Sequence, residues 1–199
     1  MVMQEMPLFP LSLFLLPGDY TQLHIFEERY KQLVRYCEDT ELPFGIPFSN
    51  RINTRNLCSL VVLDEIVKRY EGGEMDIVVR CVGVARLHQF YYQHEGYLFP
   101  GGRVKILNLP EQALASEGLN KEFRRFMESR EEAYELALEQ EELTLFEMAN
   151  RLNLNDSERL ELVNLQAEEK IESYLHNYLR YLELLQEQEE NAYQNIYLN

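Results

Sequence analysis

The sequence predicts an α+β chain. A strongly bent antiparallel β-sheet or small barrel with one inserted helix should occupy residues 1–110, and an α-helical bundle residues 111–199. Three observations carry this. Up to Pro110 the apolar residues fall in short runs punctuated by proline and glycine, the pattern of strands and tight turns. Beyond Pro110 there is no proline and one glycine, Gly118, and apolar residues recur at helical spacing. The charge divides at the same place: residues 1–110 carry 11 Lys/Arg against 13 Asp/Glu, residues 111–199 carry 8 against 21. A chain of 199 residues holds one large domain or two small ones and needs no disulfide or metal to stabilise its core.

Taken in order, Pro7 and Pro10 bracket a first strand. Pro17-Gly18 suits the centre of a type II turn, where proline presets φ and glycine takes φ > 0. A second strand runs to Ile25, and a helix opens on Glu27. Its apolar stripe is Phe26, Tyr30, Leu33, Val34 and Cys37, and it should end near Asp39, before Leu42-Pro43. Residues 44–48 form a short strand holding Pro47, which suits a sheet edge. A long strand over 57–70 turns at Gly72-Gly73 and returns over 75–92, with Gly83 marking a bulge or sharp bend. Short strands over 97–99 and 103–109 complete this half.

In the second half, Leu119, Phe123, Phe126, Met127, Tyr134 and Leu138 keep mostly helical spacing. Thr144-Leu145-Phe146-Glu147 is a capping box. Asn155 or Asp156 can cap the next short helix. From Ala167, the positions Ile171, Leu175, Tyr178, Leu182 and Leu185 alternate steps of four and three, the seam of a long packed helix.

The opening, Met6-Pro7-Leu8-Phe9-Pro10-Leu11, then Leu16-Pro17-Gly18, then Leu23-His24-Ile25-Phe26-Glu27-Glu28-Arg29-Tyr30, closely resembles the start of the N-terminal domain of Lon proteases. Phe44-Gly45, the run Val82-Gly83-Val84-Ala85-Arg86-Leu87 and the later Tyr97-Leu98 are similar to strands of that family. The stretch around Leu154-Asn155-Asp156-Ser157-Glu158-Arg159-Leu160 is similar to its helix pair. Glu28 stands where many relatives have proline. The resemblance covers nearly the whole chain and implies a bent β lobe plus a helical bundle that captures substrate and does no chemistry. The family's ATPase and Ser-Lys peptidase parts have no counterpart here. Gly72-Gly73 and Gly101-Gly102 lack the Lys-Ser/Thr of a phosphate-cradling loop and read as turns.

The net charge of −15, without a basic stripe, excludes nucleic acid and anionic membranes as expected partners. No basic n-region precedes the apolar start, which is too short to span a bilayer. Cys37, Cys58 and Cys81 are odd in number and sit in apolar patterns, the usage of buried thiols in a reducing cytoplasm. No C-x-x-C or H-x-x-x-H spacing points to metal, no activated-nucleophile context is present, and no cofactor is expected. His24 reads as a core or loop histidine bonded to backbone; Glu27 and Arg29 read as a capping and ion-pairing group.

Two features point to polypeptide binding. The 13–20 stretch carries Phe14, Leu15, Leu16 and Tyr20, more apolar side chains than a tight turn can cover. Part of Phe14, Leu16 and Tyr20 is then left at the surface, unless the helical lobe covers the loop. Phe90-Tyr91-Tyr92 alternates faces, and Tyr92 joins the candidate surface. The leading reading is a non-catalytic module for unfolded or exposed apolar segments of protein or peptide clients, with at most weak homo-oligomerisation. The alternative is an adaptor that engages one specific folded partner through its acidic half.

Overall fold

The computed structural model describes residues 3–129 and 142–197. Six strands form one antiparallel sheet: β1 (Gln4–Pro7), β2 (Tyr20–Ile25), β3 (Phe44–Pro47), β4 (Leu57–Arg69), β5 (Met75–Tyr91) and β6 (Gly101–Ile106). Their spatial order is β1-β6-β5-β4-β3. Strand β2 pairs with the first half of β5, in line with β6 on the second half. Helix α1 (Glu28–Thr40) is inserted between β2 and β3; α2 (Glu117–Glu128), α3 (Leu145–Arg151), α4 (Asp156–Leu165) and α5 (Glu168–Tyr197) follow the sheet.

The long β4–β5 hairpin is bent by extra residues. Leu60 faces Gly83 while Val61 faces Cys81, so Val82 bulges beside Gly83, as the mid-strand glycine predicts. Further register shifts fall at Asp64 and Val67 of β4 and at His88 of β5. The sheet is nevertheless not closed into a barrel. Its ends, β1 and β3, are linked by isolated parallel bridges, Leu8 to Gly45 and Leu11 to Phe48, and by no continuous ladder. Gly45 permits this crossing: a Cβ there would stand 2.7 Å from both the Cys58 sulfur and a Leu8 methyl.

Pro17-Gly18 forms the expected turn, with Gly18 at φ +86° and the Asp19 N–H donating to the Leu16 carbonyl at 3.0 Å. The expected strand over 97–99 is instead part of a closed loop. The His94 N–H donates to the Phe99 carbonyl and the Tyr97 N–H to the His94 carbonyl, with Gly96 at φ +85°. The Tyr97 and Phe99 rings stack 4.8 Å apart and lean on Tyr36 of α1, so ring packing replaces strand pairing. The last strand begins at Gly101 and stops at Ile106, earlier at both ends than the sequence predicts.

Both expected helix starts form capping boxes: Thr144 with Glu147 on α3, and Asn155 with Glu158 on α4. Of the α2 stripe, Leu119, Phe123 and Phe126 are buried; Tyr134 and Leu138 lie outside the described residues. On α5, Ile171, Leu175 and Leu179 are buried and Tyr178 and Leu182 pack beside them. One core lies between α1 and the sheet, built on Leu33, Phe44, Ile77 and Val79. A larger one gathers α2–α5 around Phe14, Leu16, Phe48, Leu57 and Val84. That second core runs across Pro110, so the change from strand to helix is not a break in packing.

Candidate polypeptide-binding surface

Strand β2 is the one long edge that nothing blunts among the described residues. The edges β1 and β3 have four residues each and are held together by the bridges at Leu8 and Leu11, and the part of β4 beyond β3, residues 62–69, carries Asp64, Glu65, Lys68 and Arg69 and two register shifts. Strand β2 has six, Tyr-Thr-Gln-Leu-His-Ile, paired residue for residue with β5 from Arg80 to Met75. It contains no proline, lysine or acid, the usual devices that keep an edge from pairing further. Alternation sends Leu23 and Ile25 toward the α1 core and Tyr20, Gln22 and His24 to the outer face.

The outer face is aromatic at both ends of β2. Tyr20 is 59% exposed and Phe26 62%. At the second end, His24 Nδ1 lies 2.6 Å from one Asp76 carboxylate oxygen, and the Tyr70 hydroxyl donates to the other at 2.7 Å. The His24 ring stands edge-on to Tyr70 at 5.8 Å and stacks with Phe26 at 6.1 Å, while the Lys68 ammonium sits 4.3 Å from the centre of the Tyr70 ring. The hydrogen bonds from His24 and Tyr70 hold the Asp76 carboxyl below its ordinary range. His24 is therefore an exposed, carboxylate-bound side chain rather than the backbone-bonded histidine the sequence predicts. Its hydrogen-bond partner among the described residues is Asp76, so the group ties β2 to the β4–β5 hairpin. Glu27 and Arg29 form the expected ion pair, at 2.8 Å, although Glu27 caps α1 by position without a side-chain bond.

The sequence-derived surface residues separate into two kinds. Phe14 and Leu16 are buried, at 1% and 0% exposure, because the helices cover their loop. Asn150 of α3 donates to the Pro17 carbonyl at 3.0 Å. Arg159 of α4 donates to the Phe14 carbonyl at 3.3 Å and pairs with Asp19, and the Ser59 hydroxyl of β4 bonds both backbone groups of Leu15. Tyr20 and Tyr92 are exposed, Tyr92 to 87%, with its ring edge-on to Phe90 at 5.4 Å. The structure does not bring these two together: Tyr20 faces Arg80 and Tyr92 follows the far end of β5, about 40 Å of strand away at ~3.3 Å per residue. The aromatic pair Phe26 and Tyr70 was missed by sequence reasoning, which placed Phe26 on the buried helix stripe. Its position one residue before the helix cap was the available signal.

Among the described residues, no three His, Cys, Asp or Glu side chains are grouped as metal ligands, and no helix is long and apolar enough to cross a membrane. The chain matches the family of the ATP-dependent protease La (LON) substrate-binding domain over residues 5–192. It belongs to that family. A Lon N-terminal domain protein from Xanthomonas campestris has the same fold, with a TM-score of 0.65 at 22% identity over 89% of this chain and 98% of that one. The N-terminal domain of a Mycobacterium avium complex Lon protease follows, with a TM-score of 0.60 at 13% identity over the same shares. No curated protein matches. In this chain β2 joins the Pro17-Gly18 turn to α1.

Proposed function

We propose that this chain is a substrate-recognition module that binds extended, apolar polypeptide segments along the open edge of β2. Membership of a substrate-binding family supports a recognition role. The observation that carries the finer reading is an unblunted six-residue edge with exposed aromatics at both its ends. An extended segment adding to such an edge gains main-chain hydrogen bonds of any sequence, while side-chain pockets select apolar residues. Tyr20 and Phe26 supply contact area at low entropic cost. Three buried free thiols suit a reducing compartment, which we take to be the cytoplasm.

Fluorescence anisotropy with a labelled Val/Ile-rich peptide tests this. The peptide should bind, its alternately N-methylated form about tenfold more weakly or worse, and Tyr20→Ser/Phe26→Ser should weaken binding without moving Tm. Equal binding of the N-methylated peptide would refute strand addition. One stoichiometric folded partner from a native lysate, with no peptide affinity, would favour the adaptor reading.

A further inference from the structure

On the helix-facing side of the sheet, well away from β2, two cations stand side by side without an acid. Arg86 of β5 lies directly opposite Leu57 of β4 and Lys105 of β6. Residues directly opposite in antiparallel strands share a face, so Arg86 and Lys105 are neighbours, and like charges in that position repel. Neither takes part in an ion pair among the described residues. The Arg86 Nε is buried and has no hydrogen-bond partner among them. Orphaned buried donors of this kind are rare in folded proteins and call for an explanation.

Both side chains line a cavity of about 210 Å³ completed by Ile106, Leu107, Asn108 and Gln166, the residue that ends α4. No carboxylate lines it, in a chain with a net charge of −15. Two cations, two side-chain amides and two apolar residues describe the complement of a single oxyanion carrying an apolar neighbour. The volume is below the ~300 Å³ of ordinary small-molecule pockets, which limits the occupant to a small group. A guanidinium reads a carboxylate through two parallel N–H bonds, and the adjacent ammonium adds a point charge.

We infer that this cavity is an oxyanion site for a carboxylate, delivered either as a free small anion or as the terminus of a polypeptide. It does not depend on peptide capture at β2, and the two are tested by different probes. In the full chain, the Arg86 Nε–Hε resonance is followed during titration with N-acetyl-leucine, N-acetyl-leucine amide and acetate. N-acetyl-leucine should shift it saturably and the amide should not. Lys105→Gln, on a half-buried side chain, should weaken the response about tenfold, the loss of one charge-assisted bond. Acetate binding as tightly as N-acetyl-leucine identifies a free carboxylate as the source. Tighter N-acetyl-leucine identifies a carboxylate beside an apolar side chain, as at a polypeptide terminus. A response shared by the amide, unchanged in Lys105→Gln, or absent altogether overturns the site. Absence together with a lowered Tm in Arg86→Gln would mean that Arg86 only offsets the C-terminal end of α4.

Discussion

Arg159→Met should reveal how strongly the helices hold the proline-glycine loop. Arg159 pairs with Asp19 and also donates to the carbonyls of Leu154, at 2.9 Å, and Phe14, at 3.3 Å. The two charged side chains are 17% and 15% exposed, so the pair is largely but not fully desolvated. Methionine keeps the aliphatic stem and removes every donor. Breaking a fully buried pair costs about 3–5 kcal/mol, because the remaining charge is stranded. Residual exposure lowers that figure, and Asp19 keeps the Leu16 N–H at 3.1 Å. We expect a loss of about 2–3 kcal/mol, which at ~2–4 °C per kcal/mol for a chain of this size lowers Tm by roughly 4–12 °C. Urea unfolding followed by both far-ultraviolet circular dichroism and tyrosine fluorescence measures it. Adding Asp19→Asn should cost less than the sum of the single changes, since the two groups act on each other. A loss below about 0.5 kcal/mol would place the pair among ordinary surface ion pairs. Two separate transitions would mean that the shared core does not couple sheet and helices.

Leu16→Ala should cost about 2–5 kcal/mol as a core truncation, whereas Tyr20→Ser stays within about 0.5 kcal/mol; matching losses in urea melts would contradict the burial described. Thr144→Ala removes the side-chain half of the α3 capping box and should cost about 1 kcal/mol in the same assay. Asp76 has its folded pKa depressed, so its contribution is present above the ordinary carboxylate range and lost as pH falls through the folded value. Wild type should therefore exceed Asp76→Asn in stability at pH 6 and converge with it toward pH 2, a convergence that thermal melts at stepped pH will show or refute. Burial pushes the Cys37 and Cys81 thiols up to about 12, and Cys58 higher still. Iodoacetamide at pH 8 should leave all three unmodified until denaturant is added, and native-state labelling seen by mass spectrometry would show the core to be open.

Local signals in the sequence translated well wherever one residue dictates one geometry. Pro17-Gly18, Gly72-Gly73, Gly83, Thr144 and Asn155 each act locally, through a turn, a bulge or a capping box, and each of these features stands where the sequence predicts it. The expected strand over 97–99 does not form because its aromatics find ring partners instead of strand partners, His94 close by and Tyr36 far back in the sequence. Barrel closure was equally illegible, since it depends on how far segment 8–11 pairs with β3. Burial of Phe14 and Leu16 was posed by the sequence but not decided by it: the groups that cover them, Asn150 and Arg159, lie more than 130 residues away. Tyr20 was legible as an exposed aromatic because the type II turn fixes where β2 begins. Phe26, Tyr70 and the Arg86–Lys105 pair needed the register of the sheet.

The burial of Phe14 and Leu16 in the core gathered by α2–α5 also sets a schedule for synthesis. These apolar residues are made well before the helices that cover them. At about 5–20 residues per second, translation from Leu16 to Leu179 takes on the order of 10–30 seconds. Throughout that interval the nascent chain carries Phe14 and Leu16 without the helices that hide them, while the hairpin behind them can already pair. A chain of a substrate-binding family thus presents an apolar segment of its own while it is being made, and chaperone occupancy should peak before α5 emerges.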